Sequence, residues 1–143
     1  MSDLVIGDDL AAKINSSLAD GLPILVAYVN AENQARLSFR GSTHVHSADQ
    51  LAVWARNPEG GLSAAIASNP KVTLLYRDPA SRTMVFFYGR ARVVDDEATR
   101  NAVYDASPEP ERNADPEKKG KAVIIDLDLV QGRNAEGPIN LSR

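Results

Sequence analysis

The sequence predicts a mainly β fold, a small antiparallel barrel with peripheral helices. Three observations predict it. Six runs are alternating or continuously apolar over strand length, at 22–30, 36–42, 50–56, 71–77, 82–94 and 121–130. The helical stretches between them are few and short and do not alternate with them strand by strand, which argues against a doubly wound sheet. Gly89 falls in the middle of the longest run, where a bulge or a close backbone approach would bend a sheet toward closure. A β-sandwich is the alternative architecture for the same pattern.

In chain order, DDLAAKINSSLAD at 8–20 reads as a helix. Leu10, Ile14 and Leu18 recur at four-residue spacing, Asp8 or Asp9 can cap it and Gly21 can end it. LPILVAYVN at 22–30 is a buried strand and residues 31–34 a turn. RLSFRGS at 36–42 is the next strand, with Arg36, Ser38, Arg40 and Ser42 on one face and Leu37 and Phe39 on the other. THVHSAD at 43–49 bends the chain. QLAVWAR at 50–56 sets Leu51, Val53 and Ala55 opposite Trp54 and Arg56. NPEGG is loop chemistry, and GLSAAIASN at 61–69 is a helix stopped by Pro70. KVTLLYR, the DPAS turn and RTMVFFYGRARVV form a strand, turn and long strand. DDEATRNAVYDA at 95–106 is a helix with an acidic start. Residues 107–119 are polar and Pro-rich, a surface excursion. KAVIIDLDLV at 121–130 is a last strand with Val123, Ile125, Leu127 and Leu129 inward, and 132–143 is an irregular tail.

A length of 143 residues suits one domain spanning 1–143. The net charge of −3 disfavours broad binding to nucleic acid or to an anionic membrane. There is no cysteine, so disulfides, thiolate chemistry and Cys-type zinc sites are excluded. MSDLVIGDD carries no basic n-region and no long apolar run, and no stretch approaches transmembrane length; a cytoplasmic protein is expected.

Two cations and two hydroxyls occupy one face of 36–42. If 36–42 and 50–56 form a hairpin around 45–47, the register pairs Ser42 with Gln50, Arg40 with Ala52, Ser38 with Trp54 and Arg36 with Arg56. Like charges directly opposite destabilise a sheet, and a bound anion reverses that sign. NPEGG then leads into a helix N-terminus, whose amides at Gly60, Gly61 and Leu62 are a second anion-seeking element. Trp54 adds a flat surface for a ring. The pattern therefore points to an anion anchor beside an aromatic wall, suited to a phosphorylated planar cofactor, a nucleotide or another phosphorylated ligand. Set against it, strand arginines are ordinarily solvated or paired, and Asp49, Glu59 and Asp78 are available partners. His44 and His46 share a face; without a third ligand nearby they read as a solvated pair in a turn rather than as metal or haem ligands.

RLSFRGS, QLAVWARNPEGGLSAAIASNPKVTLLYRD and RTMVFFYGRARVV, in that order and spacing, resemble the pyridoxamine 5′-phosphate oxidase-like family over residues 8 to 130. The resemblance implies a six-stranded antiparallel split β-barrel, a homodimer, FMN at the dimer interface and oxidoreductase activity on a small-molecule substrate. It puts Arg36 and Ser38 on the phosphate-contacting strand, Trp54, Ala55 and Arg56 on the ring-and-phosphate strand, and Gly60 and Gly61 where the oxidase has two cations. Gly41 stands where a lysine is usual and Met84 where a glutamine contacts the flavin. Two or three charged contacts are thus replaced, and Arg40, Arg56 and the amides at 60–62 are the candidates to substitute. Alternatives are the deazaflavin F420, haem in a non-catalytic binding barrel, or a barrel without cofactor. No catalytic acid–base pair is recognisable; Tyr76, Tyr88 and Arg90 are the residues available to line a substrate pocket.

Overall fold

The computed structural model describes residues 4–143; Met1–Asp3, the start of the segment expected to lack a leader, lie outside the described residues. Helix α1 (Asp8–Asn15) leads into β1 (Ile24–Val29), β2 (Ala35–Arg40), β3 (His44–Ser47) and β4 (Gln50–Ala55). Then come α2 (Gly61–Ser68), β5 (Lys71–Asp78), β6 (Thr83–Val94), α3 (Glu97–Ala106), α4 (Glu109–Asn113), β7 (Lys121–Asn134) and β8 (Gly137–Ser142). All strand pairs are antiparallel, in the order β2-β1-β5-β6-β7-β4-β3, with β8 on β7.

The mainly β class with peripheral helices stands, but the sheet has eight strands rather than six. The bend at 43–49 contains β3, which pairs with β4 through a bulge between Val45 and Ser47. The tail read as irregular is the end of β7 and all of β8, turned at 135–136; Ile139 and Leu141 alternate inward and pack on the core. Along one edge of β7, residues 121–126 pair with β4 and residues 129–134 with β8, so a single strand passes between two halves of the sheet.

The main core is the inner face of β1, β4, β5, β6 and β7, with Ile24, Val26, Leu51, Val53, Leu74, Val85, Phe87, Val123 and Ile125 all fully buried, and α1 and α2 contribute Ile14 and Leu62. A second small core, Ala52, Trp54, Val103, Tyr104, Ala122 and Ile124, lies on the other side of β4 and β7 beneath α3. Residues 51–55 are therefore buried on both faces.

Helix α1 stops at Asn15, earlier than its periodicity predicts, and a turn running to Gly21 (φ 74°) follows. Gly7 is its N-cap and the aspartates occupy the first turn instead. Helix α3 starts as expected, Asp96 accepting from the Thr99 amide at 2.9 Å.

Gly89 behaves as predicted. The β6–β7 register shifts between Tyr88 and Gly89, and a Cβ at 89 would strike the Asp126 carbonyl and lie 3.2 Å from Ile125 Cγ2. The shift moves Asp128 out of step, so Val130 rather than Leu129 turns inward after Leu127. Gly89→Val is expected to destabilise the fold by about 1–3 kcal/mol through overpacking, read as a lowered urea midpoint at unchanged m-value.

Candidate anion-binding site

β2 does not pair with β4. Its partner is β1, joined through the tight 30–34 turn, with Tyr28↔Arg36, Val26↔Ser38 and Ile24↔Arg40. The edges of β4 are occupied by β3 and β7. The expected Arg36–Arg56 opposition is thus absent. A short turn makes neighbouring strands pair, and that outcompetes the longer hairpin.

Because directly opposed residues share a face, Arg36, Ser38 and Arg40 lie on the face of Tyr28, Val26 and Ile24, which is the face toward the core. Leu37 and Phe39 lie on the outer face, each 67% exposed. This reverses the ordinary sorting of polar and apolar residues on β2, and the apolar outer face continues along the sheet. The outer rows Phe39–Leu25–Leu75–Phe86 and Leu37–Ala27–Thr73–Tyr88 run unbroken across β2, β1, β5 and β6.

On the inner side, the end of the β1–β2 hairpin and α2 enclose a cavity of about 330 Å³ lined by Tyr28, Asn30, Glu32, Arg36, Gly61 and Ala64. Gly61 has φ 53°. A Cβ built there would lie 3.8 Å from the Tyr28 hydroxyl and 4.0 Å from Arg40 Nη2, so a side chain would fill the space where these groups converge. Helix α2 has Gly60 as its N-cap, no capping side chain and no acidic residue in its first turn. The Ser63 hydroxyl in that turn is buried without a hydrogen-bond partner. Arg40 Nε donates to Ser38 Oγ at 3.0 Å. Among the described residues neither Arg36 nor Arg40 forms an ion pair; of the suggested neutralisers, Asp49 pairs with Arg143 and Asp78 accepts from Ser81, while Glu59 is exposed and pairs with neither arginine. Two guanidinium-bearing side chains, a phenol and an uncapped helix start form a cradle whose chemistry fits a phosphate or carboxylate.

The remaining predicted site residues are placed differently. Trp54 is 3% exposed, edge-on to Tyr104 at 5.1 Å, with the Arg100 guanidinium 5.1 Å over its ring and its indole N–H donating to Asp115 at 2.9 Å. It faces the second core, away from Arg36 and Arg40, and is no wall for a ligand ring. The Ser42 hydroxyl is buried and donates to the Trp54 carbonyl while accepting from its amide. Ala55 and Leu62 are core residues, and Leu62 reaches the site only through its backbone at the start of α2. Arg56 is exposed at the end of β4, beside Gly120. Tyr76 is core, and Arg90 and Arg92 pair with Asp128 and Asp126 at 3.0 and 2.8 Å. His44 is buried, its Nδ1 bonded to the Ser42 carbonyl at 2.7 Å and its Nε2 unpartnered; burial lowers its pKa. Among the described residues no group of three or more His, Cys, Asp or Glu could hold a metal.

Sequence reasoning missed Tyr28 and Asp115. Tyr28 looked like one more apolar residue of a buried run; its hydroxyl at the strand end was the available signal. Asp115 sits in the segment read as a surface excursion, yet it accepts from the Trp54 indole and from the Gly120 and Lys119 amides at 2.8 and 3.0 Å. Burial alone would raise its pKa, but those three donors and Arg100 outweigh it and hold the carboxyl below its usual range. A depressed folded pKa gives stability that is complete above the unfolded value of about 3.9 and lost as pH falls through the folded one. Acid unfolding below about pH 4 is therefore expected to change the emission of Trp54, the sole tryptophan.

No family model and no curated protein matches the chain. Solved structures do. A Clostridium acetobutylicum protein related to general stress protein 26, of the pyridoxinephosphate oxidase family, superposes with TM-score 0.68 at 11% identity, covering 96% of each chain. The fold is that of the pyridoxamine 5′-phosphate oxidase-like split barrels. An FMN-binding protein from Syntrophomonas wolfei matches this split barrel with TM-score 0.62 at 12% identity, covering 94% of this chain and 89% of that one. A haem-binding protein from Mycobacterium smegmatis matches with TM-score 0.67 at 12% identity, covering 92% of this chain and 57% of the other. Among the described residues of the split barrel, no helix is long and apolar enough to cross a membrane.

Proposed function

We propose that this chain is a dimeric FMN-binding oxidoreductase acting in the cytoplasm on a small organic substrate. The observation that carries the reading is the meeting of the Tyr28 hydroxyl and Arg40 at Gly61 on the uncapped start of α2, beside a cavity that Arg36 lines, with neither arginine in an ion pair among the described residues. The likeness to a split barrel named as FMN-binding supports it. Arg36 and Arg40 would hold the phosphate, and the Gly60–Leu62 amides would share its charge. Gly61 leaves the room that a side chain would take. When bound, the flavin supplies hydride or electron transfer; the protein binds the phosphate and keeps the cavity open to it.

The homodimer is part of the proposal. A largely apolar outer face runs across four strands, and its Leu37 and Phe39 stand exposed, the kind of surface that marks an interaction site. A second copy presenting the same rows would bury it. A second reading replaces flavin with haem, whose propionate carboxylates satisfy the same cations without turnover; the likeness to a haem-binding split barrel favours keeping it. Titration of the purified protein with FMN, F420 and haem separates the three. Saturable flavin fluorescence change at micromolar FMN is the expected result. A Soret shift with haem alone supports the second reading, and no saturable response to any of them overturns both.

A further inference from the structure

We propose that Asp115 is a positioning residue for the anion site, acting through Trp54 on both segments that form it. This rests on the anion-site reading above. The Asp115 carboxylate is 8% exposed and fully used: Oδ2 accepts from the Trp54 indole at 2.9 Å and the Gly120 amide at 2.8 Å, and Oδ1 accepts from the Lys119 amide at 3.0 Å. These bonds press the 115–120 loop flat against the end of β4. A Cβ on Gly120 would meet the Ala55 carbonyl, lie 2.8 Å from Trp54 Nε1 and 3.0 Å from Arg56 Cα. Ala55 and Arg56 begin the loop that delivers Gly60 and Gly61.

The other segment is held by the Trp54 backbone. Its amide donates to Ser42 Oγ at 2.9 Å and its carbonyl accepts from the same hydroxyl at 3.2 Å. Ser42 lies in the turn after Arg40, and the Thr43 hydroxyl and amide both donate to the Arg40 carbonyl, at 2.8 and 3.1 Å. Trp54 thus joins the two segments, its backbone holding the Arg40 turn and its indole the loop that lies on Ala55 and Arg56. Arg100 braces the arrangement, lying over the Trp54 ring and donating to the Gly120 carbonyl at 3.1 Å and to the Lys118 carbonyl. The carboxylate is specific to this role. Three N–H donors converge on two oxygens, and an amide in its place would set an NH₂ against at least one of them.

The test compares FMN with riboflavin, which lacks the phosphate, by fluorescence titration of the full chain and of Asp115→Asn and Trp54→Phe. Trp54→Phe keeps an apolar ring and deletes the indole donor. Wild type is expected to prefer FMN. In both variants that preference should fall by about tenfold, the equivalent of one charge-assisted bond lost, with riboflavin affinity little changed. Destabilisation alone would weaken both ligands equally. Folded variants that retain the wild-type preference overturn the proposal, even with a lowered Tm. If Asp115→Asn does not fold, Trp54→Phe decides. A wild type that does not distinguish FMN from riboflavin removes the anion site itself, and this inference with it.

Discussion

Replacing Arg36 and Arg40 together with alanine is expected to weaken FMN binding on the order of 10²- to 10⁴-fold while leaving the fold intact. Each charge-assisted bond to phosphate contributes roughly 1.5–3 kcal/mol, and about 1.4 kcal/mol is tenfold in affinity. The fold should tolerate the change because β2 is held to β1 by its backbone ladder. Arg36 is exposed, and the side-chain bond of Arg40 is to neighbouring Ser38. Isothermal titration with FMN, beside a thermal melt, checks both halves. Arg90→Ala is the control, since Arg90 pairs with Asp128 on the surface. If it weakens FMN as much as the double variant does, the effect is one of overall charge and not of a site.

Leu37→Asp with Phe39→Asp is expected to convert the dimer to a monomer at micromolar concentration, seen by sedimentation velocity. Both positions are 67% exposed in the single chain, so the substitutions should cost the isolated fold little. In a two-fold interface each charge would be buried unpaired, and truncating or mismatching a buried charge costs about 3–5 kcal/mol. The pair occurs twice per dimer, which is enough to abolish association. A wild-type protein that sediments as a monomer would itself overturn the dimer.

Much of the fold was legible. The six predicted runs all contain strands, α2 ends ahead of Pro70 as predicted, and mid-strand Gly89 marks the β6–β7 bulge. β3 and β8 were not, because short edge strands with His, Ser, Asn and Pro carry weak propensity; they form by docking on a neighbour already in place. The site was half legible. The facing pattern of Arg36, Ser38 and Arg40 and the place of Gly60 and Gly61 at the start of α2 follow from local geometry. Their partner strand does not, and the register that set Arg36 against Arg56 was a choice among pairings that local sequence cannot rank.

By itself, the amino-acid sequence settled the alternation along each strand: cations on one face of β2 and apolar residues on the other, and Trp54 opposite Val53 and Ala55. A two-residue period is a property of the chain alone. Only the tertiary structure decided which of those faces meets the core and which meets water. It turned the arginines inward over the start of α2, left Leu37 and Phe39 outside, and sealed Trp54 under α3 against Asp115. Which strands become neighbours is set by the burial each pairing achieves across the whole sheet, and no single segment carries that sum.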